Sequence, residues 1–297
     1  MLTFLDRFAP GIFVLLWSTG FIGSKLGSPY IEPFVFLTIR FALVLPLLWL
    51  LLLVTGARWP REASAIGHCL VAGALIHGVY LGGIFFAIDR GMPAGIAALV
   101  LGLQPLLTAL LAGPILGERV SPRHWAGLAV GGVGLALVVA PRIGVDASGL
   151  TAVTAGVCLL AVAGMAIGTV YQKRFAGGID LLAGTALQYI GALLVVVPLT
   201  FWESWEIVWA RDLVIAMTWL VLVLSIGAIL LLMVLIRRGS AARVASLFYL
   251  VPVAAAVESY FLFGETLSPI QIVGSALVVG ALLLIRERRI GTRRTPA

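Results

Sequence analysis

Few side chains in this 297-residue chain could do chemistry, and their types suit holding a small molecule better than reacting with it. His77 and Tyr80 stand three apart, which puts them on one face of a helix. Trp17-Ser18-Thr19, Gln104, Ser225 and Tyr249 add neutral hydrogen-bonding and aromatic groups. A pocket of such groups fits a small zwitterion or neutral molecule with an uncharged side chain. Trp17, His77, Tyr80, Gln104, Ser225 and Tyr249 are therefore the expected ligand-binding residues. For His77 a packing role, bonded to a neighbouring carbonyl, stands beside that reading. Nothing in the pattern asks for catalysis. His68, His77 and His124 fall at different depths, Cys69 and Cys158 lack metal-ligand spacing, and paired acids and phosphate-binding glycine loops are missing. No cofactor and no metal is expected.

The elements that must position these residues are membrane helices. The chain is 61% hydrophobic and 11% charged, with a mean hydropathy of +1.12, so lipid must solvate most of its exterior. Apolar stretches long enough to cross a hydrocarbon core of roughly 30 Å run over about 9–27, 33–55, 66–88, 93–115, 122–140, 149–172, 180–201, 213–236, 241–263 and 269–286. With both termini in the cytoplasm, fifteen lysines and arginines fall inside and four outside, a strong positive-inside bias. The net charge of +7 thus reports topology, and nucleic acid is not an expected partner.

The two halves repeat. Ala98, Pro105, Gly117-Glu118, Ser121-Pro122 and Gly127 recur 147 residues later as Ala245, Pro252, Gly264-Glu265, Ser268-Pro269 and Gly274. At a shift of 148, Lys25 falls on Lys173 and Arg40 on Gln188. Five spans per repeat is odd, so the second half lies inverted, the architecture of alternating-access carriers. The expected fold is an all-α integral membrane protein, ten helices in two inverted repeats. The expected divisions are 1–141, an external linker 142–148, the second repeat 149–286 and a basic cytoplasmic tail 287–297.

Other residues have gating or structural readings. Pro105 and Pro252 sit mid-span in equivalent helices, where each frees a carbonyl one turn earlier; they line or hinge a pathway, or serve packing alone. Arg40 and Glu258 are full charges within spans, read as gating or structural, with a mutual ion pair near an outer gate as one arrangement and a proton-coupling role open to Glu258. Glu118 and Glu265 each close a helix at the membrane face before a Ser-Pro cap. Trp202, Trp205 and Trp209 are spaced as a short amphipathic helix at the headgroup level. Glycines four apart, such as Gly127 with Gly131, allow close helix packing.

Leu116-Gly117-Glu118-Arg119 with Ser121-Pro122 and Trp125-Ala126-Gly127, the echo Phe263-Gly264-Glu265-Thr266, and Leu16-Trp17-Ser18-Thr19-Gly20 in the first helix resemble the drug/metabolite transporter superfamily in its ten-helix, EamA-type branch. The resemblance covers essentially the whole chain. It implies a carrier of the bacterial inner membrane exporting amino acids or related metabolites, and within the superfamily the aromatic amino-acid exporters are the most similar group. It also implies a pathway enclosed by the first, third, fourth, sixth, eighth and ninth helices, with the fifth and tenth peripheral. A lipophilic-cation exporter and a nucleotide-sugar or sugar-phosphate exchanger are the alternatives; the latter wants several interior cations where only Arg40 is offered. A monomer or weak homodimer is expected.

Overall fold

The computed structural model describes residues 2–92, 94–142, 149–263 and 267–285. Every regular element among them is helical, as lipid requires, because a helix satisfies its own backbone polar groups. Among the described residues nine helices are long and apolar enough to cross a membrane: α1 Phe8–Tyr30, α2 Pro33–Thr55, α3 Ala63–Asp89, α4 Ile96–Leu116, α5 Pro122–Val139, α6 Ala152–Phe175, α7 Leu181–Trp202, α8 Arg211–Arg238 and α9 Ala241–Glu258. A shorter apolar helix, α10, runs over Pro269–Ile285. Glu265 and the tail 287–297 lie outside the described residues, as does all but the first residue of the expected linker.

Polar residues start these helices where the sequence places them. Ser121 accepts from the His124 amide at 3.2 Å and Asp180 from the Leu182 amide at 2.9 Å, each satisfying a first-turn donor. Ser268 and Gln271 exchange bonds at the start of α10. Gly117, with φ of 69°, ends α4 in the left-handed conformation a glycine accepts most readily.

The packing obeys the repeat. α1 lies against α8 and α9, and its counterpart α6 lies against α3 and α4. α2 meets α7, α5 meets α10, and the end of α4 meets the start of α9, so each of these helices touches its own repeat mate. Phe41 and Tyr189, related by the 148-residue shift, meet with ring centroids 5.3 Å apart. The symmetry extends to irregularities. α3 passes through a π-helical stretch at Ala74–Val79 and α8 through another at Leu220–Ala228. α4 is interrupted between Leu101 and Gln104, and α9 tightens to a 3₁₀ turn at Leu247–Tyr249. Leu101 and Phe248 each stand four residues before a proline, Pro105 or Pro252, where the ring clashes with the helix.

Gly127 and Gly131 take up close packing within one chain, α5 against α10 and Tyr249. The expected amphipathic helix around Trp202–Trp209 is not formed. After a 3₁₀ turn at Thr200–Trp202 the chain continues without helix to Ala210. The cause is that its polar groups are engaged elsewhere. Glu203 accepts from the Phe34 and Val35 amides at 2.9 and 2.7 Å, capping α2, and the Val208 amide bonds Tyr30 O at 3.0 Å. The indoles of Trp202 and Trp209 stay exposed, as interfacial anchors do.

Candidate transport site

The irregular segments and the repeat interface surround one large cavity of about 660 Å³. Its walls come from α1, α2, α3, α4, α5, α7, α8 and α9. Helix α6 contributes no lining residue, and α2, α5 and α7 do, which corrects the expected pathway helices. The repeat explains the change: α2 and α7 meet at its centre, leaving α6 outside α3 and α4. α10 stands outside the wall, as expected. The mouth is formed by Ser28, Pro29, Ile88 and Asp89, at the ends of α1 and α3 on one face of the bundle. The cavity reaches His77 and Tyr189 at mid-helix.

Of the expected ligand-binding residues, Trp17, His77 and Tyr80 line the cavity, and so do Arg40 and Pro252. The His77 ring stacks on Tyr189 at 4.9 Å and 11°, and its Nε2 is buried without a hydrogen-bond partner. Trp17 is fixed edge-on by Phe248 at 5.3 Å. Ser225 sits one layer behind the wall, where its Oγ accepts from Arg40 Nε at 2.9 Å and its carbonyl accepts from Tyr189 Oη at 2.8 Å. Gln104 and Tyr249 are not on the wall. Gln104 donates to Thr108 at 3.1 Å, one turn along its own helix, and Pro105 beside it opens that helix segment. Tyr249 is turned toward α5, over Gly131, with its hydroxyl on Leu128 O at 3.3 Å.

The Arg40–Glu258 ion pair is absent. Glu258 instead accepts from Ser18 Oγ at 2.6 Å across α1 and α9, with its second oxygen buried and unbonded. Arg40, 4% exposed, points its Nε to α8. Tyr189 is a polar aromatic wall residue that the sequence reading missed. Its signal was available: Gln188-Tyr189 falls on Arg40-Phe41 at the shift that already related Arg40 to Gln188.

The opposite face is tied shut across the two halves. Glu118, at the end of α4, pairs with Lys173 of α6 at 2.8 Å and accepts from the Ala241 amide at 2.8 Å, at the start of α9. Lys173 also donates to Gly239 O, and Arg237 of α8 donates to Ile179 O between α6 and α7. A carboxylate at a helix N-terminus gains from both the free amides and the helix dipole. Glu118 therefore does more than close its own helix. None of these residues lines the cavity, so its opening lies on one side only.

A cavity at the interface of inverted halves, open to one face and latched at the other, has the build of a carrier. The EamA-like transporter family matches residues 11–140 and again residues 153–286. The chain belongs to the EamA-like transporter family. It is a multi-pass membrane transporter of the drug/metabolite transporter superfamily. The uncharacterized inner membrane transporter YedA of Escherichia coli K12 is 29% identical over 273 residues, covering 91% of this chain and 87% of its own. A probable amino-acid metabolite efflux pump of Salmonella typhimurium LT2 is 25% identical over 292 residues, covering 94% of each chain. A solved crystal structure, 21% identical, superposes with a TM-score of 0.76 over 93% of this chain and 94% of its own, sharing the fold.

Proposed function

We propose that this EamA transporter exports small zwitterionic or neutral amino acids, aromatic among them, or related metabolites from the cytoplasm by alternating access. The observation that carries the reading is the one-sided cavity. Its wall is largely aromatic and aliphatic, with a few hydrogen-bonding groups and one deep cation. Its volume falls in the range of small-molecule sites, about 300–1,000 Å³. The similarity to an amino-acid metabolite efflux pump supports the same class of cargo.

The distribution of lysine and arginine supports a reading with the latched face in the cytoplasm and the mouth outside. The setting proposed is the bacterial inner membrane, supported by the similarity to the inner membrane transporter YedA. In this reading the structure is the outward-open state, and the return state requires Glu118 to leave Lys173 and α9. A lipophilic cation is a poorer fit, because the charge that lines the depth of the cavity is positive. A sugar phosphate or nucleotide sugar is poorer still, since one guanidinium offers a single fork where such dianions call for several.

The test is flux of a panel of radiolabelled amino acids into liposomes holding the purified protein, with and without a proton gradient. Saturable uptake, competed by unlabelled aromatic or small neutral amino acids, is expected. Folded protein that moves no amino acid above empty liposomes would turn the reading to another metabolite.

A further inference from the structure

Arg40 is buried at the cavity wall, well inside α2, and among the described residues no carboxylate lies on it. Asp89 at the mouth pairs with its neighbour Arg90, and Glu258 is taken by Ser18. The bond that Arg40 makes is from Nε to the neutral Ser225. Burying an unpaired cation in a membrane bundle is strongly unfavourable unless an anion joins it. Packing does not demand the charge. At the repeat-equivalent position of α7 stands the neutral Gln188, buried like Arg40, whose amide nitrogen donates to Gln172 at 2.8 Å.

We propose that Arg40 is a carboxylate anchor, and that the cavity takes an organic carboxylate with an apolar or aromatic body. With Nε pinned to α8, the terminal edge of the guanidinium is the part left to grip a carboxylate by two parallel bonds. The body of the ligand then lies against Trp17, Tyr80 and Phe36, which line the same cavity. The inference rests on the reading of this cavity as the cargo site and goes further, because it makes the carboxylate the recognised group and the ammonium dispensable.

Four probes of similar size separate the possibilities: L-phenylalanine, L-phenylalaninamide, 3-phenylpropionate and phenethylamine. Binding is read from quenching of tryptophan fluorescence and from thermal shift of the full chain in detergent. Phenylalanine and 3-phenylpropionate are expected to bind, with the amide and the amine about 10- to 100-fold weaker, the range for losing a charge-assisted hydrogen bond. Arg40→Gln is expected to remove that discrimination, and Arg40→Lys to restore part of it, since an ammonium keeps the charge without the fork. Should Arg40→Gln not fold, Ser225→Ala replaces it: the arginine stays but loses its tether, and carboxylate affinity falls. Equal binding of amine and carboxylate, or folded wild-type protein that binds neither carboxylate, overturns the anchor. Carboxylate binding without amino-acid flux in liposomes leaves the anchor and removes amino-acid export; flux with no preference for the carboxylate does the reverse.

Discussion

At the residue scale, the groups around the cavity differ in what supports them. Tyr189 is fully buried, stacks on His77 and donates to the Ser225 carbonyl, thereby ordering the layer that holds Arg40. Tyr189→Phe keeps the stack and loses the hydrogen bond, so transport should fall several-fold while stability drops by about 1 kcal/mol; liposome flux and detergent melting measure the two. Tyr80→Ala opens the wall itself and should impair transport without stopping membrane insertion. Tyr249→Ala should instead act on stability, since its ring fills the α5–α9 contact away from the wall. Loss of a buried aromatic costs about 3–5 kcal/mol. Glu203 makes stability depend on pH. Burial pushes its carboxyl above the ordinary value, more than its two amide bonds pull it down. The folded state then binds the proton more tightly than the unfolded chain, so stability from this group is present at low pH and lost as pH rises through the raised value. Glu203→Gln should flatten the change in melting temperature between about pH 4 and 7; an unaltered slope would show that Glu203 does not set it.

At the scale of elements, the two repeats impose matching defects on matching helices, and only half of these could be read from the residues. The breaks in α4 and α9 were legible because a proline announces them four residues ahead, at Leu101 and Phe248. The π-helical stretches of α3 and α8 were not. Apart from His77 and Ser225, Ala74–Val79 and Leu220–Ala228 read as apolar sequence, and a change of hydrogen-bond register leaves no composition signal. For the same reason the depth of His77 was readable and the direction of Gln104 and Tyr249 was not, since a span's apolar pattern is nearly uniform around its axis. The segment Trp202–Trp209 had helical spacing, yet Glu203 found stronger partners in the free amides of α2. Close helix crossings were legible in kind, from small residues, but not in partner. The tightest is α3 on α7, where a Cβ on Gly73 would run into the backbone of Gln188 and one on Gly191 into that of Leu70. Backbone cannot swing aside as a side chain can, so Gly73→Ala should cost about 1–3 kcal/mol or more. It should show as a lower melting temperature and lower yield, whereas Gly67→Ala, facing open space on the same helix, should be tolerated.

At the scale of the whole molecule, the alternating access proposed above requires two states of similar free energy, and the structure names what would hold this one. Glu118 joins the end of α4, the end of α6 and the start of α9 through Lys173 and the Ala241 amide, so it bonds the first half of the chain to the second. Every one of those contacts must break before the cavity can open on that side. Glu118→Gln keeps the shape of the side chain and loses the charge that both Lys173 and the helix dipole favour. Removing a partly buried, charge-assisted contact of this kind is worth about 1–3 kcal/mol, which changes a two-state ratio by about 5- to 150-fold. With Cys69 and Cys158 replaced by serine, single cysteines at Ile88 in the mouth and at Ala242 under the latch report the two openings by maleimide labelling. Glu118→Gln should slow labelling at 88 and speed it at 242 together, because one equilibrium governs both. Faster labelling at 242 with no change at 88 would mean local fraying of α9, and the latch would then be a cap on one helix and not the tie between states.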